Sequence, residues 1–253
     1  MNSESAIGVF DSGVGGVSVL RDMVRLLPCE RFVYYGDNLN APYGTKSEEM
    51  IRTLAMNVAD VLVAMDVKAL VVACNTATSA AIIQMRGKLS IPVVGMEPAL
   101  KPASEMWCGG NVLVLATPAT LRQSKFQNLY ARYGQKAIIQ PCAGLMEFAE
   151  REELSGEGID SYLNECFAPY RGMQLDAVVL GCTHYVFLKK AIAKALPGVP
   201  LVDGNEGTAR RLQFLLAERE LLRTSGEGGV EFMTSGDESV CVPLMEKLFR
   251  MPI

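Results

Sequence analysis

A chain of 253 residues has the length of one large domain or two small ones. Its 24 Lys and Arg against 28 Asp and Glu give a net charge of −4, and without clustered basic residues this balance argues against nucleic acid as a partner. A hydrophobic share of 49% excludes a disordered chain. The chain has seven cysteines but a single histidine, His184, which excludes a metal site with several histidine ligands.

The location expected from the sequence is the cytoplasm. Residues 1–6 lack the basic start and apolar run of a signal peptide. The most apolar region, residues 57–85, is interrupted by Asp60, Asp66 and Lys68, so we expect no membrane span and no membrane partner. The odd number of cysteines and the lack of a Cys-x-x-Cys pair argue against a disulfide framework or zinc ribbon and favour reduced thiols.

Short apolar runs alternate with segments of helical periodicity along the whole chain. This alternation predicts an α/β fold, with parallel sheets covered by helices on both faces. Strands are predicted at residues 7–10, 32–35, 69–73, 91–94, 112–115, 137–139, 176–180, 199–202 and 230–233.

Two of the predicted helices carry specific expectations. A helix that begins near Ser47 should bury a face formed by Ile51, Leu54, Val58 and Val61. A further helix should begin at Thr117 as the N-cap, with proline at its first position, and run without interruption to Gly134.

An internal repeat divides the chain. Residues 65–76 align with residues 173–184 without a gap, which brings Cys74 onto Cys182. The same offset of 108 residues relates Pro92 to Pro200. Any two strand–loop–helix units look alike, but a shared cysteine and a shared proline at one offset favour duplication.

The duplication predicts two pseudo-symmetric lobes. Each should be a mostly parallel sheet flanked by helices, with the active site in the cleft between them. The first lobe is expected to contain residues 1–97 and 207–253, with strand 230–233 completing its sheet, and the second residues 98–206.

Each repeat ends a predicted strand with a cysteine and continues into a predicted helix. The helix N-terminus lowers the pKa of such a thiol from about 8.5. Two thiols that approach a ligand from opposite sides, Cys74 and Cys182, suit a reaction that removes a proton from one face of a carbon atom and returns it to the other. For a single cysteine, filling core space is an equally good explanation; the other five we assign to packing or surface.

A glycine-rich turn follows the first strand. Gly13 and Gly15 match half of a dinucleotide-binding motif, but Ser18 occupies the position of the third glycine and Asp11 would repel a phosphate. We therefore expect backbone N–H groups that bind a carboxylate, with Asp11 binding an ammonium or assisting proton exchange. Glycines that merely allow a tight turn are the alternative.

Seven segments follow one another along the chain: residues 8–16, 35–37, 42–44, 73–77, 95–99, 180–185 and 234–237. Together they resemble glutamate racemases, within the cofactor-independent Asp/Glu racemase superfamily. The resemblance implies an isomerase that interconverts L- and D-glutamate by two-thiol proton transfer without a cofactor or metal, and that supplies D-glutamate for peptidoglycan.

The resemblance also implies roles for individual residues. Cys74 and Cys182 would be the acid/base thiols. Asp11, His184 and a glutamate, Glu150 or its neighbours Glu147, Glu152 and Glu153, would be polar groups beside them. The implied substrate-binding residues are Asp11, Ser12, Tyr43, Gly44, Asn75, Thr76, Thr183 and His184. Chemically, the Thr117 hydroxyl could also serve a substrate carboxylate. A homodimer is compatible with the family, but its geometry does not carry over.

Several other readings remain open. An aspartate racemase of the same superfamily is the nearest, and a thiol hydrolase with Cys182 as nucleophile and His184 as base is the main alternative of another class. A metal site made of Asp11, Cys182 and His184 lacks ligand spacing. A pyridoxal enzyme would need a Schiff-base lysine, for which Lys46 and Lys68 have no convincing site.

Overall fold

A computed structural model describes residues 2–252. The chain divides into two compact units: unit 1 runs up to Met96 and resumes over Asn205–Met251, and unit 2 is Glu97–Gly204. The strands are β1 Ile7–Asp11, β2 Arg31–Gly36, β3 Ala69–Val72, β4 Val93–Gly95, β5 Asn111–Ala116, β6 Ala137–Pro141, β7 Leu175–Leu180, β8 Leu201–Val202 and β9 Gly229–Thr234.

Helices connect the strands. The α-helices are α1 Val17–Leu26, α2 Glu48–Ala64, α3 Asn75–Lys88, α4 Leu100–Glu105, α5 Pro118–Arg122, α6 Ser124–Tyr133, α7 Leu145–Glu150, α8 Glu157–Phe167, α9 Lys189–Ala195, α10 Asn205–Glu218 and α11 Glu238–Arg250. Short 3₁₀ helices form at Asn38–Asn40, Tyr43–Thr45, Ala168–Tyr170 and Thr183–Leu188. Within residues 2–252, no helix combines the length and the apolarity that a membrane crossing requires.

Unit 1 contains a five-stranded parallel sheet in the order β4-β3-β1-β2-β9. All five residues of β1 are buried, as expected for a central strand covered on both faces. Strand β9 comes from the end of the chain and pairs with β2 along six residues. Because every strand runs in the same direction, the loops after β1, β2 and β3 emerge at one edge of the sheet.

The buried face of α2 differs from the predicted one. Ile51 and Val58 are buried, but Val61 is 43% exposed, and Leu54 is only partly buried. Alanines and Leu62 take their place, because the stripe that faces the sheet advances by four residues rather than three at two of its steps. The residues of α2 that are buried are Ile51, Ala55, Met56, Val58, Ala59 and Leu62.

Unit 2 contains a four-stranded parallel sheet in the order β6-β5-β7-β8. The prediction of a single helix over residues 118–133 is wrong, since two helices, α5 and α6, form there. Gln123 has an extended backbone (φ −77°, ψ 141°), which ends α5 and starts α6. The Gln127 side-chain amide donates to the Leu121 carbonyl at 2.6 Å and so satisfies a group that the break exposes. Phe126 remains buried in the core of the unit.

Candidate active site

The first of two half-sites lies at the carboxyl edge of the unit 1 sheet, around Cys74. This thiol follows β3 and is the N-cap of α3, where its Sγ accepts a hydrogen bond from the Ala77 amide at 3.4 Å. The Ser12 hydroxyl lies 3.5 Å from the same sulfur. Cys74 is only 7% exposed. The positive end of a fourteen-residue helix, the Ala77 amide and the Ser12 hydroxyl therefore surround a nearly buried sulfur.

Asp11 ends the neighbouring strand β1 and is fully buried. Its carboxylate accepts a hydrogen bond from the Gly13 amide at 3.0 Å and lies 3.4 Å from the Ser12 hydroxyl. At least one N–H group of the glycine-rich turn thus binds Asp11 itself. Gly16 allows this close packing, since a Cβ atom there would lie 2.6 Å from the Asp11 Cβ and 2.9 Å from the Ala73 Cβ.

Tyr43 is 1% exposed, and its hydroxyl donates to the Asp37 carboxylate at 2.6 Å. Burial, followed by the hydrogen bond and negative charge of Asp37, raises the pKa of Tyr43 far above its usual range, so it stays a neutral phenol. Asp37 also accepts from the Ser235 hydroxyl at 2.6 Å. Asp37 was missed as a site residue; the available signal was a carboxylate directly after a buried strand. Gly44 lies within the same 3₁₀ turn as Tyr43.

Asn75 and Thr76 form the first turn of α3 directly after Cys74, and both are buried. The amide nitrogen and oxygen of Asn75 have no hydrogen-bond partner among the described residues 2–252. A buried amide that leaves both groups unpaired costs free energy, on the order of 1–3 kcal/mol for each group. Such a side chain is typical of a ligand-binding position, where the ligand supplies the missing partners.

The second half-site lies at the carboxyl edge of the unit 2 sheet, around Cys182. This residue follows β7, and the predicted helix after it is a 3₁₀ helix, Thr183–Leu188, rather than an α-helix like α3. Within residues 2–252 the Cys182 thiol accepts no capping hydrogen bond. Cys182 therefore lies at the N-terminus of a helix, as expected, but this is a 3₁₀ helix, in which the Tyr185 amide donates to the Cys182 carbonyl.

Cys182 lies beside a histidine, His184, whereas the repeat places Thr76 at the corresponding position after Cys74. The Sγ atom of Cys182 lies 3.7 Å from Nδ1 of His184, and Nε2 of that buried imidazole lies 3.3 Å from Oε1 of Glu150 at the end of α7. The second contact is an ion-pair distance without the alignment of a hydrogen bond. Cys182, His184 and Glu150 thus form a row of three titratable groups within one unit.

The pKa values of His184 and Glu150 are shifted in opposite directions. Burial alone would lower the pKa of His184, but the Cys182 sulfur and the Glu150 carboxylate outweigh it and raise that pKa well above its usual range. Burial would raise the pKa of Glu150, yet His184 outweighs it and lowers that pKa. Of the glutamates near position 150, Glu147 and Glu153 instead pair with Arg151. The structure thus favours a charged imidazolium–carboxylate pair beside Cys182.

Two threonines lie at the same edge of the unit 2 sheet. Thr117 follows β5 and is the N-cap of α5, where its Oγ1 accepts from the Thr120 amide at 3.3 Å and lies 3.0 Å from the Thr120 hydroxyl. Thr183 follows Cys182 and is 3% exposed. Two threonine side chains therefore lie at the edge of the sheet that carries the second thiol.

Lys68 precedes β3, so it lies at the edge of the sheet opposite to Cys74. Its ammonium forms a fully buried ion pair with Glu30 at 2.6 Å. A lysine held in this way is a structural group, which removes the support for a Schiff base at this position. Among residues 2–252, no group of three or more His, Cys, Asp or Glu side chains has an arrangement that could hold a metal ion.

Comparison with known proteins places this chain among racemases. Residues 7–212 match the family model for Asp/Glu/hydantoin racemases. The chain belongs to this family. A glutamate racemase from Clostridium botulinum is 45% identical over 249 residues, which cover 96% of both chains. This membership makes the chain an isomerase.

Two solved structures share the fold over nearly the whole chain. The glutamate racemase from Thermus thermophilus in complex with β-chloro-D-alanine has a TM-score of 0.83 at 37% identity, with 98% of this chain and 94% of that one covered. The glutamate racemase from Francisella tularensis in complex with D-glutamate has a TM-score of 0.85 at 29% identity, with 99% and 95% covered. The predicted α/β fold with two parallel sheets is confirmed.

Proposed function

We propose that this protein interconverts L- and D-glutamate by proton transfer between Cα and two thiols, without a cofactor. The observation that carries this proposal is the pair of cysteines at equivalent places in the two units, Cys74 after β3 and Cys182 after β7. The two sequence repeats supply one thiol each, as a reaction at two opposite faces of a carbon requires. The similarity to glutamate racemases supports the choice of substrate.

In each direction one cysteine acts as a base and the other as an acid. The thiolate of the first takes the α-proton and becomes a thiol. The thiol of the second gives its proton to the opposite face of Cα and becomes a thiolate, so no proton is gained or lost overall. The reverse direction exchanges the two roles. An α-proton of an amino acid is weakly acidic, and the site must therefore stabilise the carbanionic transition state.

Substrate binding is assigned to polar groups next to the thiols. Asp11 is proposed to bind the ammonium group. Ser12, Asn75 and Thr76 would bind one carboxylate, and Thr117 and Thr183 the other. The buried amide of Asn75, which has no partner within residues 2–252, supports this role because a carboxylate would accept from its nitrogen. Tyr43 and Gly44 would form a wall of the site, with Tyr43 positioned by its hydrogen bond to Asp37.

His184 is proposed to exchange a proton with Cys182, and Glu150 to hold the imidazolium in place. The contacts of 3.7 Å and 3.3 Å support this order of groups. At Cys74 the corresponding assistance would come from Asp11 through Ser12. The two half-reactions are chemically alike but use different helpers. A hydrolase with Cys182 as nucleophile would leave the matched thiol of unit 1 without a role.

The biological setting follows from the same proposal. We place the reaction in the cytoplasm, where the seven cysteine thiols would stay reduced. D-glutamate for peptidoglycan is the proposed use of the product, and a homodimer the proposed assembly. The two proposed lobes are residues 1–97 with 207–253, and residues 98–206, and each contributes one of the two thiols.

Circular dichroism in D₂O tests the activity directly. L-glutamate incubated with the protein and no added cofactor should lose its ellipticity completely, and the D-glutamate formed should carry deuterium at Cα. Faster loss with L-aspartate would point to the aspartate alternative. Hydrolysis of a thioester or amide substrate without any racemisation of either amino acid would contradict the proposal.

A further inference from the structure

Two cysteines of unit 2 outside the proposed catalytic pair lie close together. Cys142 follows β6, and Cys166 lies in the last turn of α8. Their sulfur atoms are 3.8 Å apart. Cys142 is 2% exposed, whereas Cys166 is partly exposed and can be reached by a small solute. No role in racemisation requires this second pair of thiols.

The backbone around Cys142 is held firmly in position. Three tyrosine hydroxyls donate to groups within residues 140–143, and each tyrosine belongs to a different segment of the unit. The bonds run from Tyr162 to the Ala143 carbonyl (2.8 Å), from Tyr185 to the Cys142 carbonyl (2.9 Å) and from Tyr170 to the Gln140 side-chain oxygen (2.6 Å). The Cys142 amide also donates to the Ala116 carbonyl at 3.0 Å. These bonds hold the Cys142 backbone in place, so that its sulfur lies next to that of Cys166.

The two thiols are suited to different steps of an oxidation. The hydrogen bond from Cys142, which outweighs burial, lowers the pKa of Cys166, so Cys166 ionises more readily than an ordinary cysteine thiol. The hydrogen bond with Cys166 and burial raise the pKa of Cys142, which keeps it a thiol. A disulfide needs sulfur atoms about 2.05 Å apart, so an approach of less than 2 Å closes the gap. The more accessible thiol is thus the reactive one and the buried thiol lies ready to resolve it.

We propose that Cys142 and Cys166 are a redox modification site, in which a hydroperoxide joins them reversibly in a disulfide. The Cys166 thiolate attacks the O–O bond, giving a sulfenic acid and releasing one water after protonation. The Cys142 sulfur then loses its proton, attacks the Cys166 sulfur and displaces the second oxygen as water. The two thiols are oxidised, one hydrogen peroxide is reduced to two waters, and a dithiol restores the original state.

This disulfide would act on the Cys182 half-site. The Cys142 carbonyl accepts the Tyr185 hydroxyl, and Tyr185 directly follows His184. The helix that carries Glu150 begins three residues after Cys142. Movement of Cys142 toward α8 would therefore disturb the contact between His184 and Glu150 and slow turnover several-fold. This consequence rests on the proposed function, whereas disulfide formation itself does not.

The test treats the full-length protein with hydrogen peroxide while glutamate is present to shield the catalytic thiols. Remaining thiols are then alkylated and the peptides analysed by mass spectrometry. We expect a cross-linked Cys142–Cys166 peptide, two hydrogens lighter than its reduced parts, which disappears with dithiothreitol. The variant Cys166→Ser should form no such peptide. Cys29→Ser, which changes a partly buried cysteine of unit 1, is the matched control and should oxidise as the wild type does.

Turnover is measured on the same samples. The wild type and Cys29→Ser should lose several-fold more activity than Cys166→Ser, and dithiothreitol should restore it. Oxidation of the other cysteines without a Cys142–Cys166 peptide, or a cross-link between Cys142 and Cys182 instead, would overturn the modification site. Complete cross-linking with unchanged turnover would overturn its link to the Cys182 half-site, even if glutamate racemisation itself is confirmed.

Discussion

The half-sites around Cys74 and Cys182 begin from the same sequence pattern and differ in how they can handle a proton. Cys74 caps a fourteen-residue α-helix, and its sulfur contacts the Ser12 hydroxyl and the Ala77 amide. Cys182 begins a short 3₁₀ helix and lies beside the buried His184–Glu150 pair. The Cys74 sulfur thus lies at the N-terminus of an α-helix, whereas the Cys182 sulfur lies beside an imidazole that Glu150 contacts. Equivalent thiols do not imply equivalent half-reactions.

The largest effect is expected from removal of either thiol. Cys74→Ser and Cys182→Ser should each lower kcat/KM for racemisation by about 10³-fold or more, because a serine hydroxyl is a far weaker base than a thiolate. The loss must be equal in both directions, since L- and D-glutamate are equally stable. Cys29→Ser, whose side chain is partly buried in unit 1, should retain normal kinetics. Racemisation at the wild-type rate by both serine variants would remove the reason for comparing the two half-sites.

Replacement of the histidine separates the two half-sites. Elimination of HCl from 3-chloroglutamate needs only the abstraction of the α-proton, so each enantiomer reports on one thiol. His184→Asn should slow elimination from one enantiomer by roughly 10- to 100-fold, as expected for loss of a general acid–base group. Elimination from the other enantiomer should change little. An equal loss with both enantiomers would show that His184 serves the whole site rather than Cys182 alone.

The titration of His184 sharpens the electrostatic half of the comparison. As the single histidine of the chain, it gives one imidazole signal by NMR. Its pKa should lie well above the ordinary value of about 6.5, because Cys182 and Glu150 outweigh burial. The stabilisation that protonation provides is complete below about pH 6.5 and is lost as the pH rises through the raised pKa.

Glu150→Gln provides the control for this titration. It removes the negative charge while keeping the shape of the side chain, so the pKa of His184 should move downward. A pKa of His184 at or below its ordinary value in the unchanged protein would mean that burial dominates and that the imidazole is neutral at the site.

The smallest effect is expected in the Cys74 half-site, at Ser12. Ser12→Ala removes a hydroxyl that lies 3.5 Å from the Cys74 sulfur. A loss of about 1 kcal/mol, typical of one hydrogen bond, corresponds to roughly a five-fold slower elimination from the enantiomer that Cys74 serves. The enantiomer that His184→Asn affects should be slowed less, since Ser12 would help only to bind its carboxylate. An equal or larger loss with that enantiomer would contradict the assignment of Ser12 to the Cys74 half-site.

The positions of the strands along the chain and the pair of thiols could be predicted from the sequence, because both leave a recognisable pattern in it. Apolar runs mark the strands, and the offset of 108 residues relates Cys74 to Cys182. The break at Gln123 and the 3₁₀ helix after Cys182 were not predictable in this way, since tertiary packing decides the backbone at those residues. The Tyr43–Asp37 bond and the pair Cys142–Cys166 are side-chain contacts across loops, which periodicity does not reveal.

The two-thiol account is tested most directly by offering each enantiomer of 3-chloroglutamate to Cys74→Ser and to Cys182→Ser and measuring chloride release. A variant that keeps one thiol can still abstract the proton from the face which that thiol reaches. Each variant should therefore eliminate HCl from one enantiomer only, and the two variants should choose opposite enantiomers. If both variants process the same enantiomer, or if either processes both at comparable rates, the assignment of one thiol to each face of Cα is wrong.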